Sequence, residues 1–167
     1  KSISMLGKTP INTLLIHREE HIRKWSNQVW LTLESLKNEG LILELGVSIQ
    51  NPEELLRVID EESIKIIQMP YNIFDWRWDK AIKRIIQVKK EREILIHTRS
   101  SLLQGLLTTN SVGKWKKANE NSPEIIIKWI NDKVEKFDRI GNIDLCLGFL
   151  RSQSWIDGIV IGMDSLE

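Results

Sequence analysis

Short hydrophobic runs alternate along the chain with longer stretches in which hydrophobic residues recur at helical spacing. The short runs, such as Thr13-Leu14-Leu15-Ile16, lack the polar alternation of a half-exposed strand. Continuous runs of this kind are typical of strands that are covered on both faces. The pattern predicts five strands, near residues 13–17, 43–47, 64–68, 93–97 and 158–161.

The longer stretches predict helices between these strands. One covers about 26–38, with Ser26 as its N-cap and Gly40 at its end. Asn51 followed by Pro52 predicts the start of another, because asparagine caps helices and proline is favoured in the first turn. Three further helices are predicted over about 78–90, 123–138 and 143–152, and a polar loop over 110–122.

Regular alternation of strands and helices predicts an α/β fold with a parallel sheet. No Gly-rich phosphate fingerprint follows any strand, which argues against a Rossmann fold. A (β/α)8 barrel fits better, but it usually needs about 250 residues. The 167 residues are therefore expected to form a single domain over 1–167 that is part of such a barrel, about its last five strands. Residues 2–7 look like the end of a helix, so we expect barrel strands upstream of them.

Composition narrows the classes of partner. The 24 basic and 23 acidic side chains leave a formal charge of +1, and they do not cluster as nucleic-acid or membrane binding usually requires. The single cysteine, Cys146, cannot form an intramolecular disulfide and fits a reducing compartment. We expect a cytoplasmic protein without nucleic-acid or membrane partners.

Polar residues collect where the predicted strands end. In a parallel barrel these ends meet at one face, where barrel enzymes build their sites. Each residue alone has a structural explanation, so only their grouping favours a site. The residues are His17, Ser48, Gln68, Asn72, Thr98, Arg99, Ser100, Gly162, Asp164 and Ser165.

Several segments match, in order, the sequence patterns of one known family. Leu14–His17 looks like a strand that ends in a catalytic histidine, and Gln68–Asn72 resembles the pattern Q-x-x-Y-N. Arg99–Leu107 resembles R/Y-S-P-L-x-Q-G-L-L. Similar matches are found at Ser2–Gly7, Leu33–Ser48 and Asp157–Ser165. In these segments the chain resembles the aldo-keto reductases, which are nicotinamide-dependent oxidoreductases with a (β/α)8 barrel.

The resemblance implies roles for individual residues. His17 would bond the carbonyl of a small aldehyde or ketone, as one member of a catalytic Asp/Tyr/Lys/His tetrad. Ser48 and Gln68 would bond the carboxamide of the nicotinamide, and Arg99 would stack on its ring. The remaining residues implied in binding NADPH or NADH are Ser100, Leu102, Gly162, Asp164 and Ser165.

The chain departs from the family pattern in three respects. Ile49 stands where the family usually has asparagine, so one carboxamide bond is expected to be lost. Asp164 stands where a basic residue usually accompanies NADPH preference, which favours NADH. The aspartate, tyrosine and lysine of the tetrad lie on earlier strands in the family, and Tyr71 belongs to a later segment. We therefore expect these residues alone to be inactive, and their two edge strands to be exposed to self-association.

Other residues carry weaker hypotheses. Trp76 and Trp78 follow the Gln68–Asn72 segment and are candidates for a substrate wall, whereas the other five tryptophans are expected to be packing residues. His21 and His97 lack the spacing of metal ligands, so no metal is expected. Two alternatives remain: a non-catalytic barrel relative that works as a binding or regulatory subunit, and an unrelated α/β hydrolase, which the absent Gly-x-Ser-x-Gly elbow disfavours.

Overall fold

The computed structural model describes Met5, Gly7 and residues 10–163. Its strands form one parallel sheet in the order of the sequence, which confirms the predicted architecture. Helices lie in the connections, as in a partial (β/α)8 barrel. The strands are β1 Ile11–Ile16, β2 Ile42–Ser48, β3 Ile64–Pro70, β4 Leu95–Arg99 and β5 Gly158–Ile159. The α-helices are α1 Gln28–Asn38, α2 Pro52–Val58, α3 Asp79–Glu91, α4 Val112–Lys117, α5 Pro123–Lys136 and α6 Asn142–Arg151.

The helix boundaries confirm two of the predicted helix-end residues and contradict a third. The Asn51 side chain accepts a hydrogen bond from the backbone N–H of Glu54 at 2.9 Å, which confirms it as the N-cap of α2. Gly40 has a left-handed φ of +73° after α1, as a helix stop requires. Ser26 is not the cap of α1, because the helix begins two residues later, behind a left-handed Asn27 without a side-chain cap.

Several predicted boundaries were wrong. Strand β1 begins two residues earlier than predicted and β3 ends two residues later. The predicted loop over 110–122 contains helix α4, which is held by Trp115: its indole is buried and donates a hydrogen bond to the carbonyl of Thr109 at 3.1 Å. Strand β4 begins and ends two residues later than predicted, so Arg99 lies in the strand and not after it. Strand β5 has two residues instead of four, although the N–H of Val160 still donates to the carbonyl of Thr98 at 2.7 Å.

The two faces of the sheet carry different types of side chain. Register partners lie side by side and point to the same face of a sheet. The row of Ile16, Val47, Ile67 and Ile96 is buried against the helices. The next row along the sheet is Ser48, Gln68, His97 and Gly158, on the inner face of the partial barrel.

Close contacts with neighbouring strands shape this inner face at two glycines. A Cβ on Gly46 would lie 2.4 Å from the carbonyl oxygen of Ile66 and 2.5 Å from a methyl carbon of Leu15. A Cβ on Gly158 would lie 2.8 Å from the His97 ring, so the half-buried ring of His97 lies directly over this glycine. Only glycine fits at either position without rearrangement.

Two hydrophobic clusters stabilise the fold. The larger one joins the sheet to α1, α2 and α3, and it includes Trp78 and Trp155. The smaller one is assembled by the segment after β4 together with α4, α5 and α6. Its buried members are Leu107, Trp115, Ile130, Leu145 and Cys146. The loop that follows β4 therefore has a core of its own.

Strands β1 and β5 form the two edges of the sheet, as predicted. Each pairs with one strand only within the described residues. No helix in this part of the chain combines the length and the apolar character that crossing a membrane needs.

Candidate functional site

Ser48 and Gln68 form the centre of the site. They are register partners at the carboxyl ends of β2 and β3, so their side chains lie next to each other on the inner face. Ser48 is buried and Gln68 is half-buried. Within the described residues neither side chain makes a hydrogen bond, so both retain donors and acceptors for a ligand.

Arg99 ends β4 and reaches back across the strand ends. Its guanidinium donates to the carbonyl of Ile49 at 3.0 Å and to the side-chain oxygen of Gln50 at 2.8 Å. A longer contact of 3.4 Å joins it to the hydroxyl of Ser100. These bonds hold a planar cation over the edge of the sheet where Ser48 and Gln68 lie.

The chain after β2 contributes backbone groups and one unpredicted side chain to the site. The Ile49 side chain is fully buried in the larger cluster, so it offers no polar group to a ligand. Its backbone is used instead, because the N–H donates to the carbonyl of Gln68 at 2.9 Å and the carbonyl accepts from Arg99. Gln50 is exposed and was not predicted as a site residue. Its link to Arg99 spans 49 positions of sequence, so no local pattern could have indicated it.

The segment after β4 has an unusual backbone. Ser100, Leu103, Gln104 and Gly105 all have left-handed φ values, of 56°, 46°, 53° and 83°. Where the backbone passes between right-handed and left-handed conformations, neighbouring N–H groups can be left free to bind an anion. Among the described residues, the N–H groups of residues 101, 102 and 104 have no acceptor.

A cavity of about 480 Å³ lies between this segment and the chain after β5. It joins the predicted residues Ser100, Leu102 and Gly162, which come from two distant parts of the sequence. Its lining in the described part of the chain includes no charged side chain. Its lining is Ser100, Ser101, Leu102, Gln104, Gly105, Thr108, Val160, Ile161 and Gly162.

Ser101 lines the same cavity and was not predicted as a site residue. It is 2% exposed, and its Oγ is the one buried side-chain polar atom without a hydrogen-bond partner in the described part of the chain. A second cavity of about 530 Å³ adjoins the first through Gln104, Gly105 and Thr108, and it is lined by Lys114 and Lys117 of α4.

Of the other predicted site residues, the structure describes His17. It directly follows Ile16, the register partner of Val47, so it lies next to Ser48 at the edge of the sheet, and it is exposed. Asp164 and Ser165 lie outside the described residues. No group of three or more potential metal ligands occurs in the part of the chain that the structure describes.

The two candidate wall tryptophans have opposite environments. Trp76 is 78% exposed and lines a cavity of about 310 Å³ with Tyr71 and Phe149, so it remains a candidate. Trp78 is not a wall residue, because it is fully buried in the larger cluster and its indole N–H donates to Asp75 at 3.2 Å.

Tyr71 and Asn72 have structural roles in this geometry. The Tyr71 ring packs against Phe149 and Trp155, with ring centroids 5.9 and 5.0 Å away. Burial raises the pKa of Tyr71, and the carboxylates of Asp79 and Asp75 raise it further. A raised pKa makes the phenol a weaker acid. Asn72 is buried, and its side-chain oxygen accepts a bond from the N–H of Phe74 at 3.0 Å.

Comparison with solved structures identifies the same fold. Aldo-keto reductase AKR11C1 from Bacillus halodurans in its holo form superimposes with a TM-score of 0.78 at 21% identity, over 98% of this chain and 52% of that one. Its apo form gives 0.77 at 21%, over 98% and 55%. The glycerol dehydrogenase AKR11B4 from Gluconobacter oxydans gives 0.66 at 20%, over 95% and 51%. The chain thus spans about half the length of the solved structures that it matches.

The sequence itself matches a family model. No curated protein sequence gives a significant match. The model of the aldo/keto reductase family, however, matches residues 1–146, which is most of the chain. This match overturns the alternative of an unrelated hydrolase. The chain belongs to the aldo-keto reductase family.

Proposed function

We propose that the complete protein reduces the carbonyl of an aldehyde or ketone with a nicotinamide cofactor. Family membership implies this class of reaction. The observation that carries the proposal is the adjacency of Ser48 and Gln68, with their polar groups free, below an Arg99 that is tied across the strand ends. This chain spans about half the length of its structural relatives.

The donors and acceptors present fit a nicotinamide carboxamide. That group has one carbonyl acceptor and an NH2 with two donors. Ser48 offers a hydroxyl, and Gln68 offers an amide that both donates and accepts. The planar guanidinium of Arg99 suits the face of an aromatic ring, because its five donors lie in one plane and leave its two faces free to stack.

The loop after β4 fits the cofactor's phosphates. Ser100, Leu102 and Gly162 line one cavity, and the free N–H groups of residues 101, 102 and 104 are neutral donors of the kind that cradle phosphate oxygens. Among the described residues no carboxylate lines the cavity, so these walls do not repel an anion.

When bound, the cofactor supplies a hydride to the substrate carbonyl. His17 would hold the carbonyl oxygen by a hydrogen bond, which orients the substrate and stabilises charge that develops on that oxygen. Trp76 would supply an apolar wall beside the substrate. His17 is the one tetrad member among these 167 residues, so as an isolated polypeptide they should not reduce carbonyl compounds, because a proton donor typically contributes about 10²–10⁴-fold.

Titration of the full-length protein with NADH and NADPH tests the proposal, with tryptophan fluorescence as the readout. Ser48→Ala and Gln68→Ala should each weaken binding about five- to tenfold, since each removes one hydrogen bond to the ligand. Ser152→Ala and Gln87→Ala are matched controls at exposed positions and should leave the affinity unchanged. Absence of binding to either cofactor in the wild type would refute the proposal.

Asp164 is proposed to favour NADH over NADPH. A carboxylate beside the adenosine ribose would repel a 2′-phosphate by about 1 kcal/mol for a partly exposed pair. Asp164→Lys should therefore raise the affinity for NADPH relative to NADH in the same titration. An unchanged ratio would remove Asp164 from the adenosine end of the site.

An activity assay on the same protein preparation distinguishes an enzyme from a binding subunit. Oxidation of NADH in the presence of simple aldehydes, followed by absorbance, is expected of the enzyme. Cofactor binding without turnover of any aldehyde or ketone would instead favour a non-catalytic relative that binds or regulates.

A further inference from the structure

We propose that the cavity beside Trp76 binds an organic ammonium ion, such as the protonated amine of a small molecule. The inference concerns the 310 Å³ cavity, which shares no lining residue with the cavity after β4, and it does not depend on the proposed function. It starts from the composition of the wall. Four of the lining residues are aromatic and two are acidic: Tyr71, Phe74, Trp76, Phe149, Asp75 and Asp79.

The charges around this cavity favour a cation. Among the described residues no basic side chain lines it. Asp75 is already paired, because Arg77 donates to both of its carboxylate oxygens, at 2.7 and 2.9 Å. Asp79 is exposed and has no ion-pair partner within the described residues. Asp79 therefore supplies a carboxylate that is free to pair with a ligand.

Aromatic rings supply the second feature that an organic cation needs. The negative face of an aromatic ring attracts an ammonium group, and indole does so most strongly. Trp76 is 78% exposed, so its ring is open to a ligand. A contact of this kind occurs next to the cavity, where Lys133 Nζ lies 5.4 Å from the ring centroid of Trp129. Trp129 in turn packs against Phe74 of the cavity wall, with ring centroids 5.0 Å apart.

The hydroxyl of Tyr71 is the third feature. The side chain is 7% exposed, and its ring packs against Phe149 and Trp155. Within the described residues the hydroxyl has no hydrogen-bond partner, and its oxygen keeps some accessible surface. Burial raises the pKa of this phenol, and the carboxylates of Asp79 and Asp75, which line the cavity, raise it further. The hydroxyl therefore opens towards the same space as these carboxylates, where it can accept a hydrogen bond from an ammonium N–H.

The position of Asp79 gives it a structural role as well. It lies in the first turn of α3, where a carboxylate stabilises the helix through the helix dipole. A purely structural role would appear in the stability of the free protein and would leave ligand affinity unchanged. Affinity and stability must therefore be measured on the same variants.

The test titrates the full-length protein with benzylammonium and with benzyl alcohol, followed by ligand-observed NMR. The two probes share a ring and differ in charge, so we expect benzylammonium to bind about tenfold more tightly. Asp79→Asn should weaken the binding of benzylammonium about fivefold and leave that of benzyl alcohol unchanged. Glu124→Gln, in the first turn of α5 and outside this cavity, is the matched control and should bind both probes like the wild type.

Two further variants test the hydroxyl and the indole. Tyr71→Phe keeps the packed ring and should weaken benzylammonium about threefold, with an unchanged urea midpoint because the hydroxyl has no partner in the free protein. Trp76→Leu keeps an apolar side chain without an aromatic face and should weaken benzylammonium about two- to fivefold.

Equal affinity of the wild type for the two probes would overturn the inference. Binding of benzylammonium that Asp79→Asn, Tyr71→Phe and Trp76→Leu all leave unchanged would overturn it as well, because the cation would then bind elsewhere. These titrations contain no cofactor, so their failure would leave the proposed function intact.

Discussion

The two ends of the proposed cofactor cleft are built in different ways. At the nicotinamide end, Ser48 and Gln68 are positioned by strand register, and Arg99 is fixed by bonds to the chain after β2. At the phosphate end, the residues lie on a loop whose shape depends on several left-handed residues and on a small separate core. In the sheet, the pleat of the strands alone fixes where a side chain points. A loop positions its side chains only after its backbone hydrogen bonds and its packing contacts have formed.

Substitutions at the two ends of the cleft should therefore act in different ways. Strand positions tolerate no added volume where backbones approach closely, and loop positions are limited mainly by the φ angles that they must adopt.

The largest effect is expected for Gly46→Ala in β2. A Cβ there would lie 2.4 Å from the backbone oxygen of Ile66, which cannot move without disturbing β3. Overpacking of this kind typically costs about 1–3 kcal/mol, and we expect the upper end because the obstacle is backbone. Urea denaturation of the full-length protein measures the change. Gly141→Ala, with nothing within 4 Å and an extended φ of 171°, should cost no more than about 1 kcal/mol, because alanine is a poorer N-cap for α6. Equal midpoints for the two variants would contradict the close approach.

Arg99→Met should act on the nicotinamide end alone. The substitution keeps the apolar stem but removes the bonds to Ile49 and Gln50 and the planar cation. We expect NADH affinity to fall about tenfold, equivalent to 1.4 kcal/mol, with no change for ADP-ribose, which lacks the nicotinamide. Arg84→Met at the surface pair with Asp60 is the control. Equal losses for NADH and ADP-ribose would place Arg99 at the phosphates and remove the distinction between the two ends.

Gly105→Ala should have a smaller, conformational effect. Its φ of +83° is unfavourable for alanine, but only the Thr108 hydroxyl lies near, at 4.0 Å from the added Cβ. The expected loss of stability is about 1 kcal/mol. Gly113→Ala in α4 is the matched comparison of opposite sign, with a gain of up to about 1 kcal/mol from helix propensity, since its Cβ would meet only the Ser111 hydroxyl at 3.9 Å. Thermal or urea unfolding measures both. A stabilising Gly105→Ala would show that the loop does not need its left-handed backbone.

The smallest expected effect is the pH dependence of stability that the thiol of Cys146 causes. Cys146 lies in the smaller hydrophobic cluster, and its thiol is protonated at neutral pH. Burial raises the pKa of its thiol from 9.0 to about 11. Because the thiol has a higher pKa in the folded protein than in the unfolded chain, the unfolded chain loses this proton first as the pH rises. The contribution of the protonated thiol to the stability of the fold is therefore complete below about pH 9 and is lost as the pH rises through about 11. The stability difference between wild type and Cys146→Ala should shrink over that range. At pH 8 the native thiol should react with a disulfide-exchange reagent only after denaturation, and rapid reaction in the native state would show that this small core is loosely packed.

The sequence by itself determined the architecture, the family and the adjacency of Ser48 and Gln68, which we propose as the nicotinamide end of the site. Hydrophobic runs identified all five strands, because a strand covered on both faces must be apolar along its length. The signals at Asn51 and Gly40 are chemical requirements of helix ends, so they can be read without a structure. Ser48 and Gln68 could be paired from sequence because parallel strands end at the same edge.

Only the tertiary structure decided which neighbouring residues are buried and which distant residues meet. Trp76 and Trp78 share one short turn, yet one is exposed and the other lies in the core. Helix α4 has six residues, too few for a periodic signal, and it exists because Trp115 packs into the second core. The bond from Arg99 to Gln50 and the unpartnered hydroxyl of Ser101 depend on contacts between segments far apart in the chain. Local patterns report the period of an element and the chemistry of its ends, whereas burial and partnership arise from where the folded chain brings its segments together.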